Sequence, residues 1–232
     1  MLLVTFALAE ESRDFLRRVQ ARRRLGGGPC WQANLGGREL LIAHTGVGLE
    51  SAGRVLPRLL AAHRIDQLIC TGFAGGLDPR LPSGDLLVAT NFSAPDAIAR
   101  CRRLPHPDRQ LVFGNLTSQP MPVETVAAKA QLARETGAAA VDMETAAVAR
   151  ICGERGVPLL AVRVISDAAD EPLPAPFECC YDLVRQRRRP LALLRFLAGH
   201  PARLAPFIRF GYGLLAGRRK LAHLLSEWIQ SS

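Results

Sequence analysis

The sequence predicts an α/β fold: a three-layer α/β/α sandwich around a mixed, largely parallel central sheet, followed by a C-terminal helical extension. Short apolar runs of strand length alternate with helical segments. Acidic and glycine-rich stretches stand at the C-terminal ends of those runs, where open α/β sheets bind ligands. With 232 residues, the chain suits one domain with a sizeable core.

Met1–Ala7 reads as a buried strand, followed by a helix over 10–24 with Phe15, Leu16 and Val19 on one face. Gly26-Gly27-Gly28-Pro29 breaks that helix. A strand over 39–44 runs into Thr45-Gly46-Val47-Gly48, and a helix follows over 49–63 with Pro57 inside it or at its start. The strand 67–71 runs into Thr71-Gly72-Phe73-Ala74-Gly75-Gly76, and another strand spans 85–90. The proline-punctuated stretch 91–125 shows no regular pattern. A helix over 126–136, a strand over 138–142, a helix over 144–155 and a strand over 158–166 complete the alternation.

At 48% hydrophobic and 22% charged, the composition is that of a globular chain. No apolar run reaches the roughly 18 to 20 residues of a membrane span. Met1–Ala9 lacks the basic leader of a secretory signal. The cysteines are scattered without a CxxC pair, which argues against zinc and for a reducing, cytoplasmic setting. The net charge of +9 is unevenly placed. Residues 1–182 are neutral, whereas 183–232 carry ten Arg and Lys against one acid, Glu227. The chain therefore divides into a 1–182 domain and a 183–232 basic amphipathic extension.

Three stretches carry chemistry. The glycine clusters around Gly46 and Gly75 are either tight strand-to-helix turns or places where backbone approaches a ligand. No acid follows at the spacing of a dinucleotide fingerprint, so a Rossmann cofactor site is not expected. Asp142-Met143-Glu144 places two acids at a strand-to-helix junction. Both cannot cap the helix, which leaves one carboxylate free for paired hydroxyls, with Met143 as an apolar surface under a sugar. Ser166-Asp167 ends a strongly apolar strand, where Asp167 is either an N-cap or a general acid with a raised pKa.

Thr71-Gly72-Phe73-Ala74-Gly75-Gly76-Leu77, Gly84-Asp85, Val141-Asp142-Met143-Glu144 and Val162-Arg163-Val164-Ile165-Ser166-Asp167 stand in the order found in a known family. Over about residues 1 to 170 the chain resembles the methylthioadenosine/S-adenosylhomocysteine nucleosidases and their purine nucleoside phosphorylase relatives. The resemblance implies the nucleoside phosphorylase fold and cleavage of the N-glycosidic bond of an adenine nucleoside. It implies two catalytic residues, Asp167 protonating the leaving purine at N7 and Glu11 activating the attacking water. Ser166 would orient Asp167, Glu144 would bind the ribose hydroxyls, and Met143 would pack on the sugar. Gly46, Phe73, Ala74, Gly75 and Asp142 would complete the substrate-binding wall. Met121 and Val123 would lie near the base, although Pro120–Val123 does not match the family's base-binding pattern. No metal or organic cofactor is implied. Inorganic phosphate would be a co-substrate if the reaction is phosphorolytic.

Phosphorylases of this kind carry a Gly-Asp-Pro-x-Arg loop after the first strand, whereas this chain has Ala7-Leu8-Ala9-Glu10-Glu11. A carboxylate there repels a phosphate dianion, so hydrolysis is expected. Phe73 stands where the nucleosidases often have a small hydroxyl residue. A short segment between Gly84-Asp85 and Gly114, with Gly75-Gly76-Leu77-Asp78-Pro79, Lys129, Thr136-Gly137-Ala138 and the tail, resembles the hopanoid-associated phosphorylase group. That resemblance implies a bulky 5′-substituted substrate such as adenosylhopane, in hopanoid biosynthesis.

An ordinary methylthioadenosine/S-adenosylhomocysteine nucleosidase, a futalosine hydrolase, a purine nucleoside phosphorylase and a non-catalytic nucleoside- or lipid-binding protein stay open as alternatives. The tail interleaves Leu and Phe with Arg, which suits the core, a partner subunit or an anionic membrane surface. Nucleic acid is not expected, because apolar residues outnumber the polar and stacking ones. The expected assembly is a homodimer or higher homo-oligomer, cytoplasmic and peripheral to the inner face of the membrane if the tail meets lipid.

Overall fold

Residues 1–26, 28–104 and 111–231 are described by the computed structural model of this chain. The first strand, β1 (Leu2–Phe6), is buried along its whole length. Its side chains alternate: Leu2, Val4 and Phe6 enter one apolar cluster and Leu3 another. Both faces of the sheet must therefore be covered.

After β1 come α1 (Ala9–Ser12), β2 (Gln20–Arg24), β3 (Cys30–Leu35), β4 (Arg38–His44) and α2 (Leu49–Ala62). Next are β5 (Gln67–Gly76), β6 (Leu86–Ala89), α3 (Pro95–Arg103), β7 (Leu111–Gly114), β8 (Leu116–Ser118), α4 (Val126–Thr136) and β9 (Ala140–Asp142). Then follow α5 (Thr145–Arg155), β10 (Leu159–Asp167), α6 (Phe177–Cys180), β11 (Tyr181–Asp182), β12 (Arg187–Arg188), α7 (Pro190–Gly199) and α8 (Leu204–Gln230). The main sheet runs β2-β3-β4-β1-β5-β10-β6-β7, with β9 pairing β5 and β8 pairing β9. Its centre, β4, β1, β5 and β10, is parallel, and β6 reverses against β10. Ala97 and Cys101 of α3, with Leu221, Leu224, Leu225 and Trp228 of α8, cover one face. Ala52 and Leu56 of α2, with Val148 and Ile151 of α5, cover the other. This is the expected sandwich.

Three local expectations are corrected. The helix over 10–24 is confined to the single turn α1, and Gln20–Arg24 pairs antiparallel with β3 instead. Helix propensity is a weak prior beside a free sheet edge, and a fully exposed, Arg-rich strand also blunts that edge. Phe15 still turns inward and packs on Phe6, with ring centroids 5.9 Å apart. Strand β3 had no counterpart in the sequence pattern. The stretch 91–125 contains α3, β7 and β8 rather than irregular chain. Pro95 stands in the first turn of α3, where a missing N–H costs nothing.

The extension beyond residue 182 is helical, as expected. Helix α8 has 27 residues and changes character along its length. Every buried position lies at Gly217 or beyond, and this half joins the same cluster as β1. A Cβ at Gly217 would overlap the Val164 side chain, so glycine lets α8 lie directly on β10. Arg218, buried, donates to Asp14 Oδ2 at 2.6 Å and to the Glu10 carbonyl at 3.1 Å, tying α8 to the chain around α1. The second half of α8 thus packs in one cluster with β1.

Leu225→Ala should lose about 2–5 kcal/mol of stability by urea denaturation. Ile208→Ala, on the exposed half of the same helix, should change stability by about 0.5 kcal/mol or less.

Candidate active site

The C-terminal ends of β1, β5, β9 and β10 surround a cavity of about 330 Å³, within the range of about 300–1,000 Å³ for small-molecule sites. Glu11, Phe73, Ala74, Gly75, Met121, Val123, Asp142, Met143, Glu144, Ser166 and Asp167 all line it. Gly46 does not, although Val47 does: a Cβ at Gly46 would meet Gln186 Oε1 at 2.7 Å.

Glu11 is carried in by α1. Its carboxylate accepts from the backbone N–H of Leu8 at 2.9 Å and of Phe73 at 3.2 Å. It lies flat against Gly72, where a Cβ would come within 2.8 Å of Oε1, and the φ of +151° there also favours glycine. Burial pushes the Glu11 carboxyl above its ordinary range, against the backbone N–H of Leu8 and the charge of Arg163.

At the β9–α5 junction the two acids divide their work. Asp142 accepts from Thr145 N at 3.2 Å and from the hydroxyls of Ser118 and Thr145, and pairs with Arg163 through Nε at 2.9 Å. Its carboxylate is directed to the helix end and the guanidinium. Glu144 has no capping bond. It accepts from Gly48 N at 2.7 Å, and burial, then the neighbouring charge of Asp142, raises its pKa to about 8.

Asp167 owes its direction to a bulge. Ile165 is opposite Ala74 and Asp167 opposite Gly75, so Ser166 is the extra residue. The Ser166 hydroxyl lies within reach of the Ala74 carbonyl at 3.0 Å and of Asp167 Oδ1. Behind Asp167 stands Lys129, the one buried residue of α4, fully enclosed. Its ammonium pairs with Asp167 Oδ2 and donates to the carbonyls of Ala168 and Glu171, each at 2.7 Å. Burial raises the Asp167 carboxyl, and the Lys129 pair and Ser166 pull it back without cancelling the rise.

A model of the phosphorylase superfamily matches residues 2–100 and 93–198. The chain belongs to that superfamily. It is 27% identical over 186 residues to the 5′-methylthioadenosine/S-adenosylhomocysteine nucleosidase of Psychromonas ingrahamii, covering 66% of this chain and 79% of the relative. The namesake from Shewanella halifaxensis is 26% identical over 172 residues, covering 62% and 75%. Among solved structures, the Campylobacter jejuni 5′-methylthioadenosine/S-adenosyl homocysteine nucleosidase superposes with a TM-score of 0.75 at 17% identity, covering 100% of this chain and 99% of its own. Futalosine hydrolase of Helicobacter pylori gives 0.75 at 21%, covering 100% and 97%. At these identities the two structures establish likeness of fold.

Several residues in and behind this superfamily member's cavity were not among the expected site residues. Arg163 had a signal, a lone cation in an apolar strand, which demands a buried partner. Lys129 stood only among the residues of the resemblance, with nothing local to mark it as buried beside Asp167. Phe207, Phe210 and Leu214 reach the cavity from α8, with Leu173, Pro174 and Phe177 on the intervening chain. Among the described lining residues the only cation is Arg188, which is ion-paired with Glu10.

The folded protein holds a proton on Glu144 that the unfolded chain releases near its ordinary pKa. This residue therefore favours folding at low pH, and that support is lost as pH rises from about 5 through about 8. Glu144→Gln removes the loss, so its stability relative to wild type should increase across that window in denaturant titrations. A pH-independent difference would mean that Glu144 is ionised in the fold.

Proposed function

We propose that this protein is a nucleosidase that hydrolyses the N-glycosidic bond of an adenine nucleoside carrying a bulky apolar 5′ substituent, adenosylhopane being the kind of substrate meant. One observation carries the reaction type: four buried carboxylates line one cavity, and the three not paired with Arg163 form two electrostatic groups. Glu144 feels the charge of Glu11, whereas Asp167, raised chiefly by burial, feels Lys129 and Glu171 instead. That division suits a reaction that makes a cationic sugar and an anionic base. As the C1′–N9 bond breaks, its electron pair goes to the base, and Asp167 supplies a proton to N7. Glu144 holds the ribose hydroxyls, and Glu11 takes a proton from the water that adds to C1′. General acid catalysis contributes about 10² to 10⁴ in rate. The curated relatives are nucleosidases of adenine nucleosides by name, in keeping with this assignment.

Water is favoured over phosphate by charge. Among the described lining residues, Glu10, Glu11, Asp142, Glu144 and Asp167 stand against one cation, Arg188, itself paired with Glu10. A dianion meets no free cation among these described residues. The apolar side chains of Phe177, Phe207, Phe210 and Leu214, which also line the cavity, support the bulky apolar substituent.

Base and sugar products from a nucleoside panel, with and without phosphate, test the reading. Free adenine and free sugar are expected in both buffers, and a sugar phosphate would overturn hydrolysis. Asp167→Asn should slow base release at least about 10²-fold, because an amide cannot donate to N7. Retention of most activity would remove Asp167 from the mechanism. Across 5′-alkyl adenosines, kcat/KM should rise about fourfold per added methylene until the wall is filled, since each buried CH₂ contributes about 0.8 kcal/mol. Phe210→Ala should flatten that series. Equal rates for short and long chains would defeat the bulky-substrate assignment.

A further inference from the structure

We propose that α7 and the outer half of α8 form a docking face for an anionic lipid bilayer, and that an apolar-tailed nucleoside passes along α8 from that face into the cavity. The second clause rests on the proposed substrate; the first stands on the surface itself.

Seven of the nine exposed large apolar side chains among the described residues fall between Val184 and Leu215. Such clustering is unlike the single scattered apolar residues of an ordinary surface. On α8 they form a stripe: Leu204, Ile208, Tyr212 and Leu215 recur at helical spacing. Phe207, Phe210 and Leu214 form a second stripe about a third of a turn away, at about 100° per residue, and this stripe lines the cavity. One helix thus turns one apolar edge outward and another onto the ligand space. None of these residues is needed for the core, which α8 joins only from Gly217 onward.

Charge decides what covers the outer stripe. Seven exposed arginines lie between Arg185 and Arg209, and no acid occurs from 183 to 226. A second copy paired across a two-fold axis would set these arginines against themselves. The partner is therefore anionic, and the apolar stripe requires that it also accept Leu and Ile side chains. A bilayer with anionic headgroups has both properties. No helix among the described residues is long and apolar enough to cross a membrane, so the contact is with the surface.

The test is co-sedimentation of the full chain with vesicles of phosphatidylcholine containing about one-third phosphatidylglycerol. Binding is expected at low salt, weaker by about tenfold or more at high salt and with phosphatidylcholine alone. The double variant Leu204→Glu/Ile208→Glu changes two exposed positions outside the cavity wall. It should lose vesicle binding at least about tenfold while releasing adenine from soluble nucleosides at the wild-type rate. A wild-type protein that stays in the supernatant with anionic vesicles overturns the proposal, as does a double variant that binds like wild type. A dimer in sedimentation that the double variant dissolves also overturns it, by making the stripe a subunit interface. Base release assayed on the same samples separates the two readings. Vesicle binding without base release sinks the nucleosidase assignment and leaves the docking face. Base release without vesicle binding does the reverse.

Discussion

The guanidinium of Arg163 is buried in the middle of β10, and the geometry of the cavity depends on how its charge is answered. It is bound to Asp142, to the Thr145 hydroxyl at 2.6 Å, to the Cys70 sulfur at 3.0 Å and to its neighbour's carbonyl at 3.0 Å. These contacts join β10, β5 and the start of α5 at one point. The same positive charge lowers the cost of keeping Glu11 and Glu144 close together in a dry site. Removing one partner of such a buried pair typically costs about 3–5 kcal/mol, because the other is left uncompensated. Structural charge and ligand-facing charge are thus parts of one network.

A second buried cation performs the corresponding task at the other end. Lys129 holds Asp167 and, through two carbonyls, the loop 168–171 that follows it. The bulge at Ser166 turns the carboxyl toward the cavity, and Lys129 fixes that direction from behind. Each end of the cavity therefore has its carboxylate backed by a cation on a different element. Neither cation lines the cavity itself.

Helix α8 links this interior to the surface. Its inner half closes the hydrophobic core, and Arg218 anchors the chain around α1 that delivers Glu11. Its outer half walls the cavity and carries exposed apolar and basic residues into solvent. A change at the surface end of α8 thus lies on the same rigid element as the packing behind the catalytic strands.

Local sequence determined what depends on local pattern. The apolar runs fixed β1, β4, β5 and β10 and their two-sided burial, because period and hydrophobicity are properties of neighbouring residues. Acids and glycines at the ends of those runs marked Glu11, Glu144 and Asp167, since parallel strands gather their C-termini at one edge. Tertiary structure decided the rest. Whether Gln20–Arg24 became helix or strand depended on the free edge of β3, which no local preference records. That Asp142 is tied to a guanidinium while Glu144 is not depended on Arg163, 21 residues away from Asp142. Lys129 and Asp167, 38 residues apart, met only because the fold brings α4 to the end of β10. The two halves of α8 look alike as sequence, and only contact with β10 made one of them core.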